Sequence, residues 1–254
     1  MILDLRHYKK ITFFILLVAL ISLFFTHKME ANYMISSVSK TVRLLPIYKV
    51  DTTQQAVGIS FDASWGAEYT EKILDTLDKH NVKATFFLVN IWLKEYPDVA
   101  WEITLRGHEI GMHSTSHPNF CTLSQKQMED ELKENAQMIK EVTGYSPTLF
   151  RPPFGAYNNK VIEVTDNLGY QAVQWSKDSL DWKDLSAAEI ESRVIKNIGP
   201  GDIILFHNNG LHTAEALEPI LCRLEEKGLA AVPVSDLLLQ DDWYIDYAGV
   251  QRSK

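Results

Sequence analysis

The chain has 254 residues, 46% of them apolar and 11% aromatic, enough to bury one sizeable core. Its formal net charge of −8, with acidic and basic residues interspersed, excludes nucleic acid as an expected partner. Two cysteines, Cys121 and Cys222, are too few for a disulfide framework and lack metal-ligand spacing, so ordinary thiols are favoured over a single disulfide.

Residues 1–10 carry Arg6, Lys9 and Lys10, and an apolar run follows from Ile11 to Phe25, broken by Thr12 and Ser22. A basic flank ahead of an apolar run is the pattern of an export signal. Met29-Glu30-Ala31 offers only one of the two small residues that a cleavage site uses. The segment 11–26 is therefore expected to be an uncleaved signal-anchor rather than a cleaved signal peptide. Either form makes the membrane a partner and delivers the rest of the chain outside the cytoplasm. Residues 27–55 lack a strong periodic pattern and read as a stalk, residues 56–240 as the domain, and residues 241–254 as a tail.

From Ala56 onward, short β-rich apolar runs alternate with amphipathic helical stretches. The expected strands are AVGISF from Ala56, KATFFLV from Lys83, HEIGM from His108, TLF from Thr148, QAVQWS from Gln171, DIILF from Asp202 and AAVPVS from Ala230. Several are apolar on consecutive residues, as strands covered on both faces are. Between them, Ser124 and Gln127 form a capping box ahead of Met128, Leu132, Ile139 and Val142. Ser186 and Glu189 repeat it before Ile190, Val194 and Ile198, and a third helix carries Leu217, Ile220, Leu221 and Leu224. Seven strand–helix units imply parallel strands with right-handed crossovers. A closed or nearly closed α/β barrel is the first expectation, an open doubly wound sheet the second. No oligomer is indicated.

The informative polar residues follow strands. Asp62 ends the first, His113 and His117 follow the third, Arg151 the fourth, Asp178 and Asp181 the fifth, and His207 ends the sixth. In a parallel barrel all strand C-termini open on one face, so these residues converge there. Two imidazoles in HSTSH, four residues apart, suit zinc or a borderline relative. Asp62, followed by small residues and Gly66, is placed to act as a general base; its plain alternative is a helix cap or turn residue. Arg151 opens RPPFG, where Pro152 and Pro153 stiffen the backbone and Gly155 permits a turn close to a ligand. Its guanidinium could pair with Asp62 or hold a substrate oxygen. His207, delivered by a buried strand, suits a general acid, and a carboxylate such as that of Asp178 would fix its tautomer.

ISFDAS, HSTSH, RPPFG, DSLDW and LFH, in this order, resemble the five motifs of the polysaccharide deacetylases, also called the NodB-homology group or carbohydrate esterase family four. The resemblance runs from about Ala56 to Leu239. It implies a distorted seven-stranded parallel (β/α) barrel that removes acetyl groups from an N-acetylated glycan such as peptidoglycan or chitin. By position it implies Asp62 as base, His113 and His117 as metal ligands, Arg151 orienting the base, His207 as acid and Asp178 supporting that acid. Asp181 and Trp182 would shape the pocket, Leu205 would wall the acetyl site, and Pro152, Phe154 and Gly155 would border the substrate. The cofactor implied is a divalent metal, zinc before cobalt or manganese. The anchor and stalk also look like the sporulation-associated branch of the family. One position departs from the pattern: Ala63 stands where the family's first motif carries the aspartate that is the third metal ligand. Glu68, on the same loop, is the candidate substitute; alternatively Asp62 itself binds the metal. A non-catalytic glycan-binding or morphogenetic barrel is the competing expectation.

Overall fold

The computed structural model describes residues 5–37 and 43–254. The chain divides into two units, Met1–Arg43 and Leu44–Lys254. In the first, α1 (Leu5–Ser37) runs as one helix, with no glycine or proline to break it. The large apolar side chains from Phe13 to Phe25 are exposed, including every residue from Phe13 to Val18, so no face of this stretch is polar. Among the described residues no helix is long and apolar enough to cross a membrane. The side chains of Arg6, Lys9 and Lys10, on which the expected basic flank rests, lie outside the described residues.

The second unit alternates strands and helices. Its first half holds β1 (Lys49–Val50), β2 (Ala56–Ala63), α2 (Thr70–Lys79), β3 (Thr85–Leu88), α3 (Asn90–Glu95), α4 (Pro97–Leu105), β4 (Glu109–Met112), α5 (Gln125–Thr143) and β5 (Leu149–Phe150). The second half holds α6 (Asn159–Asn167), β6 (Gln171–Ala172), β7 (Lys177–Asp178), α7 (Ala187–Ile195), β8 (Ile203–His207), α8 (Thr213–Glu226), β9 (Ala230–Val232), α9 (Val234–Leu237), β10 (Trp243–Ile245) and β11 (Val250–Ser253). Both expected capping boxes form, at Ser124 with Gln127 and at Ser186 with Glu189.

The main sheet has the order β6-β5-β4-β3-β2-β8-β7, with β9 also beside β2, and all its pairings are parallel. It curls into the distorted (β/α) barrel expected from the sequence. Six of the seven expected strands lie in that path. The stretch from Ala230 pairs only as far as Val232 and then turns helical, because Pro233 has no N–H to continue a ladder. Its place in the path is taken by β7, and the curl is completed by one segment. Residues 171–178 pair with β5 through Gln171 and Ala172, then with β8 through Lys177 and Asp178. Between these halves, Gln174 donates from its backbone to Ile47 O.

β2 shows how the layers divide. Val57, Ile59, Phe61 and Ala63 join the apolar layer that also holds the buried faces of α2 and α8, and Phe61 stacks between Phe86 and Phe206. Ser60 and Asp62 alternate with them, so strand periodicity alone sends Asp62 to the opposite face of the sheet. Of the stretch expected as a stalk over 27–55, the described residues up to Ser37 are helical and those from Leu44 belong to the barrel unit. Likewise the expected tail over 241–254 supplies β10 and β11, which form a second small sheet with β1. Cys121 and Cys222 are both free and exposed.

Candidate active site

Asp62 and His207 are register partners on the adjacent strands β2 and β8, which puts them side by side at the C-terminal end of the barrel. Asp62 is buried, and its Oδ1 accepts from Arg151 Nη1 at 2.7 Å. Arg151 is fully buried; its Nη2 donates to Gln174 O at 3.1 Å and its guanidinium carbon lies 4.1 Å from the Phe87 ring centroid. Phe87 occupies the space beside Gly111 on β4, where any Cβ would collide with its ring. The arginine is thereby fixed by stacking on one face and by two hydrogen bonds at its tip.

His113 leaves β4 with its Nδ1 2.7 Å from Arg151 O. A carbonyl only accepts, so Nδ1 carries the proton and Nε2 presents a lone pair, 3.6 Å from Asp62 Oδ2. The His117 ring centroid is 5.0 Å from that of His113. Reaching this position requires left-handed backbone at Ser114 (φ 83°) and His117 (φ 56°). Helix α5 holds that conformation. Asn135 Oδ1 accepts from the backbone of His113 and Ser114 at 3.0 Å each. One turn earlier, Glu131 accepts from the backbone of Thr115 and Ser116 at 2.8 Å each. Burial lowers the pKa of His113, and burial with the neighbouring His113 pushes His117 down to about 4, so both rings are neutral near pH 7.

His207 Nδ1 lies 2.7 Å from Asp181 Oδ1, and its backbone N–H donates to Asp181 Oδ2. Thr213 Oγ1 donates to the same oxygen. Burial alone would lower the pKa of His207, but the hydrogen bond and charge of Asp181, together with Asp62 and Asp178, outweigh it and raise the pKa above 6.5. For Asp62, burial opposes ionisation, yet the charge and hydrogen bond of Arg151, together with the charge of His207, hold its carboxyl below 3.8. The Asp62 carboxyl and the His207 imidazole are thus shifted apart, the condition under which one is ionised and the other protonated together.

Two expected positions are corrected. Asp178 does not bond His207 and adds only its charge to the raised pKa; its Oδ1 accepts from Leu180 N, and Asp181 takes the place at Nδ1. The swap arises because Leu180 turns left-handed (φ 53°) and carries Asp181 inward. Glu68 does not complete a metal site. It is exposed, with its carboxylate over Gly66 (φ +61°). Among the described residues no group of three His, Cys, Asp or Glu side chains is arranged to hold a metal ion. The two neutral imidazoles fit a borderline divalent cation, and Asp62 Oδ2 is the carboxylate oxygen nearest to them, but Ala63 lies in the apolar layer and supplies no third ligand of its own.

Of the remaining expected residues, Phe154 touches the site. Pro152 and Gly155 flank Phe154, which stands at φ 61° and packs its ring 4.6 Å from His117. Leu205 is buried on β8 in register with Ser60 and Asp178. Trp182 follows Asp181 and is exposed. The clamp residues Glu131 and Asn135 went unnoticed in the sequence. The available signal was Asn135, a polar residue on the stripe of Met128, Leu132 and Ile139, where it is fully buried.

A carboxylate fixed by a buried arginine, an imidazole fixed by a buried aspartate and a pair of neutral imidazoles on a barrel's C-terminal face are the kinds of group from which a hydrolytic site is built. The family model for polysaccharide deacetylases matches residues 49–173. A peptidoglycan-N-acetylglucosamine deacetylase of Bacillus cereus is 35% identical over 185 residues, covering 71% of this chain and 67% of its own. The uncharacterized protein YlxY of Bacillus subtilis is 35% identical over 193 residues, and the match spans 76% of this chain but only 60% of that longer relative. Among solved structures, wild-type BA3943 of Bacillus anthracis, described as a CE4-family pseudoenzyme, superposes with a TM-score of 0.74 at 33% identity, covering 82% of this chain and 73% of its own. The chain belongs to the polysaccharide deacetylase family, carbohydrate esterase family four.

Proposed function

We propose that the chain hydrolyses N-acetyl groups of an extracytoplasmic N-acetylated glycan, peptidoglycan before chitin-like polymers. The observation that carries this reading is the pairing, in register on adjacent strands, of Asp62 held by Arg151 with His207 held by Asp181. Asp62, ionised and with Oδ2 unclaimed by Arg151, takes a proton from the attacking water. His207, protonated on Nε2 while Nδ1 is tied to Asp181, gives a proton to the departing amine. Leu205 would face the acetyl methyl. His113 and His117 would hold a divalent cation, zinc before cobalt or manganese, whose charge would stabilise the negative charge developing on the carbonyl oxygen. The helix α1, apolar on every face from Phe13 to Val18, supports tethering of the domain outside the cytoplasm. The likeness to peptidoglycan deacetylases supports a wall substrate, and the sporulation-associated branch is the narrower form of the same proposal.

A second reading is favoured by Ala63: a glycan-binding barrel without turnover. The structural relative BA3943 is described as a pseudoenzyme, and one of its mutants as having restored activity. Metal content and acetate release measured on one preparation, with N-acetylglucosamine oligomers and peptidoglycan as substrates, separate the two. Bound metal with acetate release supports hydrolysis. Glycan binding without acetate release under zinc, cobalt and manganese supports the second reading.

A further inference from the structure

Two loops at the mouth of the site hold aromatic rings out toward solvent. Trp65, on the loop after β2, is 57% exposed, and Phe154, on the loop after β5, is 68% exposed. Each packs edgewise on the His117 imidazole, with centroids 4.9 Å and 4.6 Å away and interplanar angles of 69° and 71°. Single exposed apolar residues are common on protein surfaces. These two differ because their backbones are built to hold them there.

The loop of Trp65 is pinned one residue later. Gly66 stands at φ +61°, and its carbonyl oxygen accepts from both Trp92 Nε1 at 2.6 Å and Asn208 Nδ2 at 2.8 Å. Asn208 is fully buried, follows His207 directly, and donates from its backbone to Asp62 O. The position of Trp65 is therefore tied to the two strands that carry the acid and the base. Phe154 is held outward by a left-handed conformation that a bulky side chain ordinarily avoids. A flat apolar surface, rigid before any ligand arrives, loses little entropy when it binds one.

We propose that Trp65 is a sugar-stacking residue: its exposed indole receives the C–H face of a pyranose ring of the glycan, on the His117 side of the site. The proposal rests on the glycan reading above and extends it from the reacting acetamide to recognition of the ring. The occupant follows from position, since the indole touches His117, and the loop that bears it is bonded to the residue after His207. A pyranose presents a flat array of C–H groups ringed by hydroxyls. That shape suits a half-exposed indole bordered by polar residues better than a wholly apolar partner does.

The test is titration calorimetry of the full-length chain in mild detergent with the β-1,4-linked N-acetylglucosamine tetramer. Trp65→Ala and Trp65→Leu are expected to weaken binding by about fivefold or more, while Trp65→Phe stays within about twofold of wild type. Leucine keeps apolar bulk against His117 and removes the flat ring, so loss in both Ala and Leu with rescue by Phe is an outcome that a packing role would not give. Equal affinity in wild type, Trp65→Ala and Trp65→Leu overturns the stacking assignment and leaves the glycan reading standing. A wild-type chain that binds no tetramer overturns both.

Discussion

The two halves of the site are built to different standards. On the His207 side, every polar atom that matters is held by another buried group: Asp181 bonds the ring nitrogen and the backbone of His207, and Thr213 bonds Asp181. On the His113 side, the backbone is clamped as firmly, by Asn135 and Glu131 of α5, yet the ligand set ends at two imidazoles. The contrast teaches that support for a site and completeness of a site are separate properties. Proton-transfer groups need one partner each, and that partner can come from the neighbouring turn. A metal ion needs several donors converging on one point, and one alanine on a strand removes a donor without disturbing the fold.

That contrast can be broken most forcefully on its complete side. Asp62→Asn and His207→Ala are each expected to lower acetate release by about 10³-fold in a rate assay; His207→Ala also leaves the buried Asp181 Oδ1 without its partner, so a thermal melt is expected to show a lowered melting temperature for that variant. Next in size is the incomplete side. For Ala63→Asp, a rise of about tenfold or more in both zinc occupancy and rate, by metal analysis and acetate release, is expected if the new carboxylate turns from the apolar layer toward the histidines; no change in either means that it stays in that layer. A smaller effect is expected at Asp181. His207 must be protonated to act as acid, and its pKa is raised above 6.5, so activity is present below that raised value and lost as pH climbs through it. Asp181→Asn removes the main raising influence, so the alkaline limb of the pH–rate profile moves to lower pH. Smallest of all is Glu68→Gln, for which metal content and rate are expected to stay within about twofold of wild type, since its carboxylate folds over Gly66, away from the histidines.

The sequence carried the barrel and most of the site because strand ends mark both. Asp62, His113, Arg151 and His207 each sit at or just past a run of apolar residues, and parallel strands open on one face. What stayed hidden depends on dihedral angles within single turns. Asp178 and Asp181 are three residues apart in DSLD, and only the left-handed turn at Leu180 decides which of them meets His207. Glu68 shares a loop with Asp62, and the left-handed Gly66 turns it outward. β1, β10 and β11 are short, lie in segments without alternation, and exist because distant residues such as Val50 and Gln251 meet. No local pattern encodes such a meeting.

The segment 171–178 has a consequence for how the molecule is made. It joins β5 to β8 and also supplies Gln174 O to Arg151, then leads through Asp178 to Asp181. Until this stretch docks, β5 and β8 each present an unpaired edge, the kind of surface on which nascent chains stick to one another. Its pairings with β5 and β8 are local, Leu149 with Gln171 and Lys177 with Ile204, so their loop-closure cost is low beside that of pairing Asp62 with His207. Closure of the wall and placement of Asp181 beside His207 therefore depend on one segment. A chain in which residues 171–178 have not docked lacks both the seam between β5 and β8 and the carboxylate beside His207.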